Sequence, residues 1–217
     1  MTENKYSLSQ QIIDTCLSMN ASGINHGTSG NVSARFGEGF LVTPSGVPYE
    51  DLTPEKIVEM DLNGGHKGDL LPSSEWRMHR DIYASRAEAG AVVHTHSAHA
   101  TALATLRRGI PCFHYMIAVA GGTDIRCSDY ATFGSAELSE TMLKAMEGRK
   151  ACLLANHGYI GFGADLCKAL ALAVEVEGLA KQYYTALQMG EPVILSDDQM
   201  AEVLEKFKTY GKQPNKG

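Results

Sequence analysis

Apolar positions recur by threes and fours along much of the chain, and short apolar runs separate those stretches. Within residues 7–20, Ile12, Ile13, Cys16 and Leu17 share one helical face, and Gly23 marks the stop. Residues 31–36 and 40–43 flank Gly37-Glu38-Gly39, the pattern of a β-hairpin. Residues 57–61 predict a third strand, ended by Asn63-Gly64-Gly65. A helix is expected over 73–86 behind Pro72, a small strand over 91–95, a helix over 98–108 and another apolar run over 112–119. A helix over 135–147 and strands over 151–155 and 159–162 follow. The longest helix begins near Asp165, with Leu166, Leu170, Ala173, Val176, Ala180, Tyr183 and Leu187 in helical register. In the last helix Ser196 and Gln199 form a capping box, Met200, Val203, Leu204 and Phe207 the apolar face, and Gly211 the end. Short strands with helices between them predict an α/β sandwich, one sheet with helices on both faces. No repeat or linker interrupts the pattern, so residues 1–217 are expected to form a single domain.

Composition narrows the class. The 217 residues are 44% hydrophobic, 20% charged and 7% aromatic, which fits a globular protein and excludes disorder and collagen. The five cysteines are odd in number and lack a Cys-x-x-Cys, which predicts reduced thiols in a cytoplasm. The start Met-Thr-Glu-Asn-Lys-Tyr has no apolar signal region, and no apolar run reaches bilayer length, so no membrane partner is expected. The net charge is −6, and no basic patch exceeds Arg107-Arg108 and a few tail lysines, which argues against nucleic acid. An anion would have to be met by local dipoles, isolated cations or a metal.

Three of the eight histidines fall in residues 94–99. In a strand, His94 and His96 point to one side and can aim two imidazoles at one divalent ion. His157 ends a second strand, and Gly158 is expected to let the chain turn without a side chain over the metal. A His-x-His alone is a weak signal, because polar residues commonly end strands; a third strand-end histidine strengthens it. Spacing leaves the remaining ligand open. Glu75 and His79 share a helix face, and His99 lies on the turn after His96. An acid in a first helical turn also suits the macrodipole without further role. Three loops, at 27–31, 43–46 and 72–74, combine Ser, Thr, Gly and Pro. Their N–H and hydroxyl groups can hold phosphate oxygens, though the same residues are ordinary turn formers. The two common glycine-rich nucleotide fingerprints are absent.

Five segments in one order resemble the metal-dependent class II aldolase/adducin family: residues 25–33, 43–46, Leu71-Pro72-Ser73-Ser74-Glu75, Val93-His94-Thr95-His96-Ser97 and Asn156-His157-Gly158. The similarity extends to residues 11–17, 114–118 and 204–211, and is nearest to members acting on L-fuculose 1-phosphate. The resemblance implies a central, mainly antiparallel sheet flanked by helices. It implies one divalent metal per subunit, zinc with manganese or cobalt as alternatives, held by Glu75, His94, His96 and His157, with His79 and His99 as background. It implies that Asn31, Ser45, Gly46, Ser73 and Ser74 hold a substrate phosphate, with Thr28 nearby. It also implies that Tyr115 and Tyr210 reach active sites between the subunits of a cyclic homotetramer.

The implied substrate is a phosphorylated deoxy-ketose, cleaved to dihydroxyacetone phosphate and an aldehyde. Breaking the C3–C4 bond leaves a carbanion that a metal on the C2 and C3 oxygens stabilises as an enediolate. Tyr115 is expected on the aldehyde side, and Glu75 as the group that protonates the enediolate. Residues 19–25, 159–163 and 212–217 depart from the fuculose pattern, so 5-deoxypentulose and 5-methylthioribulose 1-phosphates are alternative substrates. A pentulose-phosphate 4-epimerase, a methylthioribulose-phosphate dehydratase and an adducin-like binding module are the rival functions.

Overall fold

The structure is a computed structural model and describes residues 4–209. Tyr210, Gly211 and the tail 212–217 lie outside the described residues. Helix α1 (Lys5–Ala21) opens with the Asn4 side chain accepting the Tyr6 N–H. It is followed by β1 (Asn31–Phe36), β2 (Gly39–Val42), β3 (Val58–Met60) and β4 (His66–Lys67). Then come α2 (Trp76–Ser85), β5 (Ala91–Thr95), α3 (Ala98–Thr105) and α4 (Ala136–Ala145). The chain continues through β6 (Ala151–Leu154), β7 (Gly158–Gly163), α5 (Leu166–Met189) and α6 (Asp197–Phe207). The seven strands form one sheet in the order β4-β3-β2-β1-β5-β7-β6, and every neighbouring pair is antiparallel. The expected α/β sandwich is the observed fold.

Helices cover both faces, which is why β5, β6 and β7 are buried along their whole length. On one face Ile12 and Cys16 of α1 and Val176 and Leu179 of α5 pack against Val32, Val93 and Leu153. On the other, Met78 and Ile82 of α2 and Leu138 and Met142 of α4 pack against Val42, Val92 and Ile160. The period of two along a strand then fixes which side chains meet. Asn31 pairs with His94 and Ser33 with Val92, so Asn31, Ser33 and His94 all look toward α2.

Three helix boundaries differ from the sequence pattern by three residues or more. The helix expected over 73–86 starts at Trp76, because Ser73 Oγ accepts the Glu75 N–H and Glu75 keeps a non-helical φ of −102°. The helix expected over 98–108 stops at Thr105, and Arg107 adopts a left-handed φ of 51°. The last helix ends at Phe207, before Gly211. The apolar run over 112–119 becomes a 3-10 turn, Tyr115–Ala120. Strand β4 had no signal beyond the turn residues before it. Among the described residues no helix is long and apolar enough to cross a membrane.

Candidate metal centre

Four side chains from distant parts of the chain converge at one end of the sheet. His94 sits on β5 between Asn31 of β1 and Ile160 of β7. His96 follows at the strand end, two residues on and therefore on the same side. The chain leaving β6 turns at Asn156, whose φ of 55° is left-handed, a conformation asparagine tolerates better than most residues. Asn156 is tied to the end of α3, its N–H donating to the Ala104 carbonyl at 3.0 Å. That turn brings His157 beside the first two rings. Gly158 therefore does not make the turn as expected from the sequence; it is the first residue of β7, paired with Leu154. A Cβ there would stand 2.5 Å from the Thr95 carbonyl oxygen and 3.0 Å from His96 Cδ2, so glycine is required by close approach. Glu75, at the start of α2, completes the group.

The geometry suits a cation. His94 Nε2 lies 3.0 Å from His96 Nε2 and 3.1 Å from Glu75 Oε2, and His157 Nε2 lies 3.0 Å from Glu75 Oε1. All four donor atoms fall within 4.8 Å of one another. A tetrahedral ion with bonds of ~2.0–2.1 Å sets its donor atoms roughly 3.4 Å apart. His94 Nδ1 donates to the Tyr159 carbonyl at 2.7 Å, so a neutral ring presents a bare lone pair at Nε2. Glu75 Oε1 is buried and makes no hydrogen bond, despite its approach to His157. Imidazole nitrogens facing one another around a buried carboxylate oxygen without a hydrogen-bond partner form a donor set suited to a cation. Three imidazoles and one carboxylate could hold a zinc-like divalent metal.

Electrostatics agree. Burial acts to raise the Glu75 carboxyl, but the His94 and His157 rings outweigh it and hold Glu75 well below the usual carboxylate range. Burial, then the neighbouring His94 and His157 rings, push His96 down to about 4. The site therefore favours an ionised carboxylate beside a neutral His96.

The remaining candidates divide. His79 is buried under the cluster and contacts Asn31 and Ser33, while His99 binds Glu177 at 2.7 Å; neither joins the four. Thr28, Ser74, Glu75, His96 and His157 line one cavity of about 370 Å³. Asn31 Nδ2 donates to Glu75 Oε2 at 3.0 Å. The loops bearing Ser45-Gly46 and Ser73-Ser74 are held side by side, with Ser45 N–H donating to the Leu71 carbonyl at 3.0 Å and Ser73 N–H to that of Thr43 at 2.9 Å. Ser45 and Gly46 are exposed, and Gly46 has a left-handed φ of 70°. Tyr115 is 47% exposed and is not among the residues lining this cavity. Tyr130 and Phe133 do line it, and sequence reasoning missed them. They lie in a loop with no periodicity, and only the presence of two exposed aromatics there could have drawn notice.

The chain is similar to known proteins along nearly its whole length. The profile of the Class II Aldolase and Adducin N-terminal domain matches residues 10–184. The chain is 56% identical over 211 residues to the 5-methylthioribulose-1-phosphate/5-deoxyribulose-1-phosphate aldolase of Rhodospirillum rubrum, covering 97% of this chain and 96% of that one. It is also 56% identical over 212 residues to the L-fuculose phosphate aldolase of Escherichia coli K12, covering 97% and 98%. A solved L-fuculose 1-phosphate aldolase superposes with a TM-score of 0.90 at 42% identity, over 93% of this chain and 96% of that one.

Proposed function

The chain belongs to the class II aldolase and adducin family and is an aldolase, a carbon–carbon lyase; from that premise we propose that it cleaves a deoxy-ketose 1-phosphate, of the L-fuculose 1-phosphate kind, by a retro-aldol reaction. The products are dihydroxyacetone phosphate and an aldehyde. Four donor atoms within 4.8 Å of one another carry this conclusion. We assign Glu75, His94, His96 and His157 as ligands of one divalent metal per subunit, zinc by donor set, with manganese or cobalt as alternatives. When bound, the metal supplies Lewis acidity toward the substrate's oxygens.

The chain's own groups do the rest. Glu75 Oε2 is fixed by Asn31, whereas Oε1 has no hydrogen bond and is the atom available to carry a proton to the substrate carbon. Gly46 and Ser74 offer N–H groups, and Thr28, Ser45, Ser73 and Ser74 hydroxyls and Asn31 its amide, to the phosphate, beside the N-terminus of α2. Tyr115 handles the proton of the C4 hydroxyl. It does so in the cavity of a neighbouring subunit of a cyclic homotetramer, joined there by Tyr210, which accords with its exposure outside its own cavity. Tyr130 and Phe133 give the cavity an apolar wall suited to a deoxy end. Relatives named for two substrates stand at 56% identity each, so 5-methylthioribulose or 5-deoxyribulose 1-phosphate is a second reading of the same chemistry. We take residues 1–217 as one domain working in the cytoplasm, where its five free cysteines stay reduced.

A panel of ketose 1-phosphates assayed for dihydroxyacetone phosphate tests this. Release is expected from L-fuculose 1-phosphate or its 5-deoxy and 5-methylthio pentulose counterparts. An epimerised or dehydrated ketose without that product overturns cleavage, and purified protein without divalent metal points to a binding module.

A further inference from the structure

Beneath Glu75 runs a chain of hydrogen bonds that bond cleavage does not itself require. Asn31 Nδ2 donates to Glu75 Oε2 at 3.0 Å, and Asn31 Oδ1 lies 2.5 Å from His79 Nε2. His79 Nδ1 lies 2.6 Å from Ser33 Oγ, which lies 2.8 Å from the Tyr83 hydroxyl. Asn31, Ser33, His79 and Tyr83 are all buried, so each donor needs an acceptor within the protein.

The directions follow from chemistry. An amide carbonyl only accepts, so His79 carries its hydrogen on Nε2. Its Nδ1 is then an acceptor, and Ser33 donates to it. Ser33 Oγ accepts in turn from Tyr83. Every hydrogen points the same way, from Tyr83 through Ser33, His79 and Asn31 to Glu75. Burial, reinforced by the nearby His94, pushes His79 down to about 3, which keeps the ring neutral as this order demands.

The two ends of the Asn31 amide have nearly the same shape. Reversed, its carbonyl would face the Glu75 carboxylate, acceptor against acceptor. The His79 N–H holds the carbonyl end, so it reinforces from below the orientation that the carboxylate favours from above. Glu75 and His79 stand one helical turn apart at the start of α2, so one rigid element carries both the carboxylate and the group that orients its anchor. We propose that His79 is a positioning residue: its Nε2–H fixes the Asn31 amide, and that amide holds the Glu75 carboxylate with Oε2 toward His94 and Oε1 toward His157. This rests on Glu75 being a metal ligand, as proposed above. A histidine that only filled space would tolerate leucine without consequence for the centre.

The test uses full-length protein, stripped of metal and titrated with Co²⁺, read by visible absorbance alongside thermal melts and kcat and KM. His79→Leu removes the donor, whereas His79→Gln can donate to Asn31 through its amide nitrogen. His79→Leu is expected to bind Co²⁺ ~10–100-fold more weakly, with an altered absorption band and a lower kcat, and His79→Gln to stay within about threefold of wild type. Wild-type affinity and spectrum in His79→Leu, or equal losses in both variants, would overturn the proposal. Should His79→Leu not fold, Ser33→Ala removes the hydroxyl that keeps Nδ1 an acceptor. A several-fold weaker Co²⁺ site is then expected, and unchanged affinity overturns the idea. Wild-type protein that shows this Co²⁺ pattern but releases no dihydroxyacetone phosphate sinks only the aldolase reading. Wild-type protein that binds no Co²⁺ sinks the metal centre and this proposal with it.

Discussion

In the proposed reaction Glu75 carries two roles in one side chain. It is buried, which works against its charge, yet the neighbouring rings keep it ionised, so its two oxygens serve different ends. Oε2 is tied to Asn31, and Oε1, without a hydrogen bond, is the oxygen proposed to exchange a proton. Glutamine keeps the shape and an oxygen for Asn31 but cannot carry that proton. Glu75→Gln should therefore melt as a folded protein while kcat falls by ~10²–10⁴, the usual contribution of a general acid–base group; wild-type turnover would refute the assignment. Ser73 and Ser74 have a different expected signature. If their groups hold the substrate phosphate, replacing both by alanine should raise KM for phosphorylated ketoses about tenfold, since hydrogen bonds to charged groups are the stronger ones. Unphosphorylated ketoses should be little affected, and equal effects on both would remove the phosphate assignment.

At the scale of elements, the centre depends on how closely β5 and β7 approach. Gly158 leaves space that the Thr95 carbonyl and the His96 ring fill. Gly158→Ala should destabilise the fold by about 1–3 kcal/mol, the cost of overpacking. It should also loosen metal binding, measured by chelator competition, because the added methyl presses on a ligand; an unchanged metal affinity would show that the strand end can yield. The elements themselves were largely legible in the sequence, because their signals are local. The hairpin around Gly37-Glu38-Gly39, the Asp165 cap of α5 and the Ser196–Gln199 capping box of α6 all stand where periodicity and capping put them. The start of α2 was not legible, because a side-chain bond from Ser73 delays it. Nor was the fourth member of the cluster: spacing left Glu75, His79 and His99 open, and the resemblance singled out Glu75. What separates them physically is long-range. Asn31 is paired opposite His94 across two strands, which puts His79 against Asn31 and leaves Glu75 facing the rings, and Glu177 of α5 occupies His99. Tyr130 and Phe133 were illegible for the same reason, since a loop's place over a cavity leaves no local pattern.

The whole molecule carries a net charge of −6, yet its proposed substrate is a phosphate. A divalent ion among three neutral imidazoles and one carboxylate would place a net positive charge where this acidic chain has none to spare, which makes the metal the natural focus for an anionic substrate. The proposed cleavage also calls for an acid–base partner on the aldehyde side. Tyr115 is proposed for it, but its ring stands exposed and stacked on His114, outside the cavity of its own chain. Both facts are reconciled if each cavity is completed by the Tyr115 of a neighbouring copy around a closed ring. That arrangement makes a prediction no single-chain site can meet. Glu75→Gln and Tyr115→Phe proteins, each impaired alone, should regain activity when unfolded together and reassembled. In a cyclic oligomer of randomly mixed subunits, roughly a quarter of the sites would pair an intact Glu75 with an intact neighbouring Tyr115. Recovery of aldolase activity toward that fraction, in a mixture sized as a tetramer by light scattering, would place the site between subunits. A mixture no more active than the average of its two parents would confine the chemistry, Tyr115 included, to one chain.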